Sequence, residues 1–480
     1  MASLPGFVGP SYTSQANMAA GDRLINLFVE DILSAAPKAR RALVPAPGMV
    51  DFATTVDSPG RGLYFENDRL FAVFGTSLCE ISSAGVVTVR GAVLDDGNPA
   101  QLTTNGTAGG ELMVSAGTKG YRLDLATNIL TNPVNDVTQV GQVDGFVVAL
   151  DTLTGTMKIS EVDDASTWDP LQIAQRSAAA DDWIAMFVHN REIFLWGAKT
   201  GEVWRNAGLS PFPFALRSDA SHEVGIAAIW SAAPFKGSIA WLGQTQGGTG
   251  VYWMNGYTPE KISPEGLDWE IQTYKDGDGV SDAVGWSYER EGHEFYVLTF
   301  VAAGHTWVCD AKTFEWHERG KWSNEANDFT AYRPRFHAQA FGKNLVCDSS
   351  SNKVYSLSSL VFTDVGGSVL RRLRQTPHAA AEHKMVFFPY AELECDRGVG
   401  TGLGSGQGAD PEVVLQYSDN GGRTFGAERA RKVGKQSEFD TIVRWDGCGA
   451  ARDRVWRLYQ TDPAACRWYD LYVQARVGRT

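Results

Sequence analysis

Long apolar runs are missing from this sequence, and no stretch is long enough to cross a bilayer as a helix. The opening residues, Met1-Ala-Ser-Leu-Pro-Gly-Phe7, have no basic segment leading into an apolar one. The expectation is a protein that is made in the cytoplasm, not exported by a signal peptide and not membrane-spanning. Paired cysteines are missing too. Cys79, Cys309, Cys347, Cys395, Cys448 and Cys466 show neither a C-x-x-C pair nor dense spacing, so free buried thiols are expected. Only Cys448 and Cys466 lie near enough in sequence to pair as neighbouring strands. Positive charge is scarce, with 43 Lys and Arg against 56 Asp and Glu and a formal net charge of -13. That balance argues against tight non-specific DNA binding, which needs clustered cations to displace counterions from the phosphates. An acidic wall would instead repel a passing duplex without holding it. No G-x-S-x-G elbow, P-loop or dinucleotide fingerprint occurs, so the common nucleophilic and nucleotide chemistries have no support in the sequence.

Tight turns and aromatic side chains are abundant instead. The 480 residues include 51 Gly, 15 Trp, 15 Tyr and 23 Phe, a mixture that favours short strands. A chain of this length exceeds one ordinary hydrophobic core, so two or three domains are expected. From residue 60 onward one unit keeps returning: a short apolar strand, a turn and a partner strand. It begins at Leu70, Leu112, Phe146, Ile193, Ile239, Phe295 and Leu345, as in Leu70-Phe-Ala-Val-Phe-Gly75 and Phe295-Tyr-Val-Leu-Thr-Phe300. Partner strands include Tyr121-Arg-Leu123, Glu202-Val-Trp204, Val251-Tyr-Trp253 and Lys353-Val-Tyr355. A spacing of roughly 40 to 50 residues with about four strands per period is the pattern of a β-propeller, here of six or seven blades. A pair of β-sandwich domains is the competing architecture. No helix-period segment is read as interrupting the repeats.

The sequence therefore predicts an all-β chain, a β-propeller-like repeat domain followed by a C-terminal antiparallel β-sandwich. Residues 1–56 form an N-terminal extended arm through Asn26-Leu-Phe-Val-Glu30, Pro37, Lys38 and Arg40, ending at Pro45-Ala-Pro47-Gly48, where no helix can continue. The propeller occupies 57–360, a connector 361–384 and the sandwich 385–480. Sandwich strands are expected at Met385–Phe388, Glu412–Tyr417, Thr441–Trp445, Arg454–Leu458 and Tyr469–Val473, with a mobile glycine-rich loop from Gly398 to Gly408. Leu24, Ile25, Leu27 and Phe28 of the arm are expected to pack across the propeller or a neighbouring subunit, since they would otherwise be exposed.

The most specific local motif is Ser418-Asp-Asn-Gly-Gly-Arg-Thr-Phe425, an Asp box of the form S-x-[DN]-x-G-x-T-[FW]. Its chemistry reads as structural. Asn420 and Thr424 bond the turn around Ser418, Gly422 takes a left-handed conformation, and Phe425 anchors the hairpin in the core. Asp boxes also occur in sialidases, but a glycosidase needs an arginine cluster and a nucleophile pair, and no second box is found. Asp276-Gly-Asp-Gly-Val-Ser-Asp282 hints at Ca²⁺, yet Val280 and Ser287 stand where ligands would be required, and a solvated acidic turn is the simpler reading. His378-Ala-Ala-Ala-Glu-His383 has the wrong spacing for a shared metal on a helix and reads as linker. His293, His305 and His317 read as sheet histidines. No cofactor, metal or catalytic residue is expected.

Three passages resemble the packaged-DNA stabilization proteins of short-tailed bacteriophages. They are Asn26–Glu30 with Pro47-Gly48; Gly292–Phe300 with Thr306-Trp-Val308, Asp310 and Trp316-His-Glu-Arg319; and Tyr417–Phe425 with Gly434-Lys435, Arg444-Trp445, Ala451–Arg457 and Thr461-Asp-Pro463. The resemblance implies a virion structural protein, a tail hub or nozzle assembled as a hexameric homo-oligomeric ring. Its implied partners are a tail adaptor ring near the portal, needle, fibre or tailspike proteins, and DNA that passes without sequence-specific binding. It would retain packaged DNA and provide the channel for genome ejection. The early repeats match in pattern only, and the Asp276 and Gly398–Gly408 loops depart from the family. Two other classes compete: a receptor-binding or polysaccharide-degrading tail protein with a sialidase-like propeller, and a monomeric bacterial propeller.

Overall fold

All seven apolar runs found by their spacing become the second strand of a sheet. The computed structural model describes residues 2–16, 21–34, 38–176, 180–382, 384–402 and 404–478. Seven sheets follow one another along the chain: blade 1 (60–92), blade 2 (101–135), blade 3 (139–175), blade 4 (185–216), blade 5 (225–261), blade 6 (284–323) and blade 7 (334–358). In blade 1 the strand Arg69–Phe74 buries Leu70 through Phe74 without alternation. Such a strand is covered on both faces by neighbouring blades, so its sequence reads as a continuous apolar run. Its hairpin turns on Asn67 and Asp68, whose φ of 51° and 58° give the left-handed pair that matches strand twist. The blade number, which the sequence left at six or seven, is seven.

Each pair of adjacent blades encloses an apolar core of its own, including the seam between blade 7 and blade 1, where Leu345 and Cys347 meet Leu70 and Phe74. Blade 7 takes its outer strand from far upstream: Gly48–Thr54 pairs antiparallel with Lys353–Ser358, from Gly48 opposite Ser358 to Thr54 opposite Lys353. The ring is thus fastened by a strand that precedes blade 1 in the sequence.

The expectation that no helix interrupts the repeats fails. A helix, Glu265–Asp276, stands between blades 5 and 6 and buries Leu267, Ile271 and Tyr274 into their shared core. These positions have the i, i+4, i+7 spacing of a helix face, but three apolar residues among polar ones make a weak signal beside the strong strand repeats. No helix among the described residues is long and apolar enough to cross a membrane.

The C-terminal unit is a two-sheet sandwich, and every predicted strand is present, at Val386–Cys395, Glu412–Ser418, Val443–Asp446, Asp453–Gln460 and Trp468–Val477. Its core includes Trp445, Trp456 and Trp468. N-terminal residues complete both sheets. Leu27–Asp31 and Arg41–Pro45 join the sheet of Trp468–Val477, while Gly21–Ile25 pairs with Arg372–Gln375 in the other. Gly21–Ile25 also meets blade 6 in parallel at Ile25 opposite Glu318, so a single hydrogen-bonded sheet runs from the propeller into the sandwich. Leu24 and Leu27 are buried in the sandwich core and Phe28 against blade 6, all within one chain. The six cysteines are buried and none is in a disulfide.

Candidate functional site

Three places gather polar or aromatic side chains from separate elements: the propeller axis, the seam between the domains and the Asp box. A wide propeller axis could carry a ligand or a strand. Around this axis lies a cavity of about 160 Å³ whose wall takes residues from every blade, among them Gly62, Gln101, Gln139, Phe187, Trp230 and Phe336. Gln139 ties it together: its Nε2 donates to the Ile229 carbonyl at 2.9 Å and its Oε1 accepts from the Met186 amide at 2.6 Å. At about 30 Å³ per water this space holds a handful of solvent molecules and no polymer. These lining residues have no sequence signature, since an inner strand is recognised only after its blade is placed.

The seam is organised by Asn26. This residue sits between Gly21–Ile25 and Leu27–Asp31 with φ of 56°, a left-handed conformation that Asn tolerates and branched residues do not. Its side chain is 1% exposed. Its Nδ2 donates to the carbonyls of Gly320 and Arg371, both at 2.8 Å, and its Oδ1 accepts from the Gly320 amide at 3.1 Å. One amide group therefore bonds the N-terminal segment, blade 6 and the first sandwich strand together. Beside it the Arg23 guanidinium grips Glu318 with its Nη2 2.6 Å from Oε2, and Ser11 Oγ accepts from the Leu24 amide at 2.7 Å. The motif Asn26-Leu-Phe-Val-Glu30 signalled the place, but its role depends on partners some 300 residues away.

In the Asp box, Ser418 Oγ accepts from the amides of Asn420 and Gly422, Asn420 Oδ1 accepts from the Thr424 amide at 3.0 Å, and Asn420 Nδ2 donates to Thr424 Oγ1 at 2.7 Å. Gly422 has φ of 82°. Phe425 departs from expectation. It stays out of the sandwich core, half-buried, with the Arg457 guanidinium 3.4 Å above its ring. Asp419 is held by both arms of Arg454, a 1% exposed guanidinium lying 4.1 Å from the Tyr417 ring centroid. The polar groups of Ser418, Asp419, Asn420 and Thr424 are thus spent on the turn itself and on a buried arginine, while Arg423 is exposed.

The remaining candidates do not converge. His293 bonds Asp310 through Nδ1 at 2.6 Å inside blade 6, and His305 stacks on Tyr274 with centroids 5.1 Å apart. His317 is buried against Phe28 and Phe295, and burial, with Arg319 and His293 nearby, pushes its pKa well below the usual histidine range. Asp276 and Asp278 face solvent at the end of the helix, whereas Asp282 accepts from the Ala302 amide at 2.6 Å. No group of three or more His, Cys, Asp or Glu that could hold a metal occurs among the described residues. His378 bonds Asp453 at 2.8 Å; His383 of the same stretch, Pro37 of the arm and Leu403 of the glycine-rich loop lie outside the described residues. That loop is hydrogen-bonded to its surroundings, with Gly398 donating to Val433 and Thr401 to Gly408.

Comparison with known proteins gives a consistent answer at the level of family. A search of curated proteins finds no match. Among solved structures the chain is similar to the N-terminal domain of Nup159, at 12% identity and a TM-score of 0.41 over 71% of this chain and 99% of that one. It is similar to the computationally designed Ika8 protein at 14% identity and a TM-score of 0.40, over 70% and 100%. YCF48 from Cyanidioschyzon merolae is similar at 10% identity and a TM-score of 0.39, over 65% and 98%. Two family models match instead, the bacteriophage P22 Gp10 β-propeller over residues 24–361 and the bacteriophage P22 Gp10 β-sandwich over residues 371–476. Both units observed in the fold are matched, in order, and the chain belongs to the P22 Gp10 family of phage packaged-DNA stabilisation proteins, structural components of the virion.

Proposed function

We propose that the protein is a tail hub or nozzle: copies assemble into a homohexameric ring that extends the tail, retains packaged DNA, and leaves a channel between copies for ejection. The observation that carries this reading is the narrow propeller axis, a cavity of about 160 Å³ lined by residues from all seven blades, in a member of a DNA-stabilising family. A duplex has no path through a single chain, so passage requires a lumen made by several. A chain with net charge -13 suits a lumen that repels the phosphates and lets them slide. The continuous sheet from blade 6 into the sandwich supports a rigid body, as ring closure by a repeated head-to-tail contact demands. In this reading the partners are a tail adaptor ring above and needle, fibre or tailspike proteins below. The Asp box lends nothing to a polysaccharide-degrading alternative, because its carboxylate, Asp419, is held by the buried Arg454.

The test is retention. Phage particles assembled without this chain should lose their DNA, and adding the purified protein should restore retention. Particles that keep their genomes equally well without it would refute the reading.

A further inference from the structure

Where the outer hairpin of blade 6, Trp316–Ser323 with Asp328–Ala331, meets the Asp-box turn, a polar recess of about 330 Å³ opens. Arg371, Arg423, Arg457, Trp322, Phe425 and Glu428 line it. The Arg371 guanidinium lies between two rings, 3.7 Å from the centroid of Trp322 and 3.7 Å from that of Tyr459. With both faces covered it can donate only from its edge, and its Nε, although buried, has no acceptor among the described residues. Arg457 stacks on Phe425 and bonds Gln375 Oε1 through Nε at 3.2 Å and Nη2 at 2.8 Å. Arg423 is exposed at the rim. Burial first, then repulsion from Arg23 and Arg371, pushes the pKa of Arg457 down to about 10, so it remains a cation at neutral pH. Three guanidiniums thus line the recess with one carboxylate, Glu428, while Asp328 of the same hairpin, near enough to act on Arg371 and Arg457, is paired with Arg23 at 3.5 Å.

We propose that this recess is a docking site for a carboxylate side chain on an acidic segment of another protein chain, gripped edge-on by Arg371 beside Arg457. A planar guanidinium edge matches the two oxygens of a carboxylate. Glu428 penalises a dianionic phosphate more than a monoanionic carboxylate, and the acidic bulk of the protein repels a continuous polyphosphate. The ligand class rests on this geometry alone; that the acidic segment belongs to a neighbour in the tail ring rests on the reading of the preceding subsection. The chain exposes acidic turns of the required kind, with Asp276 and Asp278 at solvent, so a second copy has the chemistry to supply the contact.

Fluorescence anisotropy of a labelled hexaglutamate peptide, titrated with the full chain at low salt, tests this. Saturable binding is expected, weakened about tenfold by Arg371→Ala and equally by Arg371→Lys, which keeps the charge and loses the fork. Arg423→Ala, at an exposed position where folding is not at stake, should weaken binding several-fold, Glu428→Gln should strengthen it, and Arg205→Ala, exposed on blade 4, should leave it unchanged. Equal binding by the wild type and the Arg371 and Arg423 variants would overturn the proposal. So would displacement of the peptide by inorganic phosphate more readily than by acetate, which would mark a free-phosphate site, or tighter Arg371-dependent binding of a short DNA duplex, which would mark a nucleic-acid surface. Peptide binding that survives while no ring forms would sink the tail reading and leave this site standing.

Discussion

Blade 2 is built entirely from residues 101–135, each strand pairing with the next in sequence, whereas the sandwich sheet around Asp453–Gln460 gathers Gly21–Ile25, Arg372–Gln375 and Glu412–Ser418. The first kind of sheet closes short loops and forms from local hairpins; the second must bring together segments some 350 residues apart and bears the loop-closure entropy of doing so. The strands named here pair antiparallel in both, and both bury aromatic side chains. They differ in what a change in the N-terminal segment does to them: blades 1 to 5 contain none of it, while the sandwich, the blade 6 seam and the blade 7 closure all do.

Deleting residues 1–47, which spares the closing strand Gly48–Thr54, should have the largest effect. It removes Leu24, Leu27, Val29 and Leu43 from the sandwich core and Phe28, Ala42 and Val44 from the seam with blades 6 and 7. Hydrogen exchange should show the sandwich and blade 6 unprotected while blades 2 to 4 keep slow amides. Uniform protection across the truncated chain would erase the distinction between the two regions.

Asn26→Ala comes next, at about 3 kcal/mol, because it strands the Gly320 amide and two carbonyls in a buried place and leaves a left-handed residue without its compensating bonds. Denaturant unfolding should register the loss, and Asn26→Gly, which relieves the backbone and not the hydrogen bonds, should recover only part of it. Full recovery by glycine would mean that the backbone conformation alone matters.

Acid should weaken the propeller through its own histidines. Burial holds the pKa of His337 in blade 7 down to about 4, and that of His222, after blade 4, likewise to about 4. An unfolded histidine titrates near about 6.5, so the folded value is the lower one; stability present above that pH is lost as the pH falls toward 4. For His337 the loss at pH 4.5 is on the order of 2 kcal/mol. Denaturation at pH 7 and pH 4.5 should show a smaller acid penalty in His337→Gln than in wild type; an identical penalty would acquit this residue.

Phe425→Ala should cost least, about 1 kcal/mol, because the ring is half-buried under Arg457 and contributes a surface stack. A loss of several kcal/mol in thermal unfolding would return Phe425 to the core that the Asp-box pattern suggested.

Legibility in the sequence follows the same divide. The second strands of all seven blades could be read because each carries a short apolar run near turn residues, as at Leu70–Phe74, and the sandwich strands because their alternation keeps one face wet. The helix Glu265–Asp276 was lost among stronger signals, and the assignment of Gly48–Thr54 to blade 7 depends on pairing with Lys353–Ser358, which no local pattern encodes. At the candidate sites the internal bonding of Ser418, Asn420 and Thr424 was legible because it is local. The partners of Asn26, the ring contacts of Arg371 and the axial cavity lined by Phe187, Trp230 and Phe336 were not, because each is made by elements from distant parts of the chain.

Cryo-electron microscopy of the phage tail bears most directly on the central claim, that DNA passes between copies and never through a propeller. The account predicts a closed ring of this chain on the tail axis, with DNA density in the lumen it encloses and none in any propeller's own axis. Density for the chain only at the tail's periphery, or DNA threading a single propeller, would contradict it.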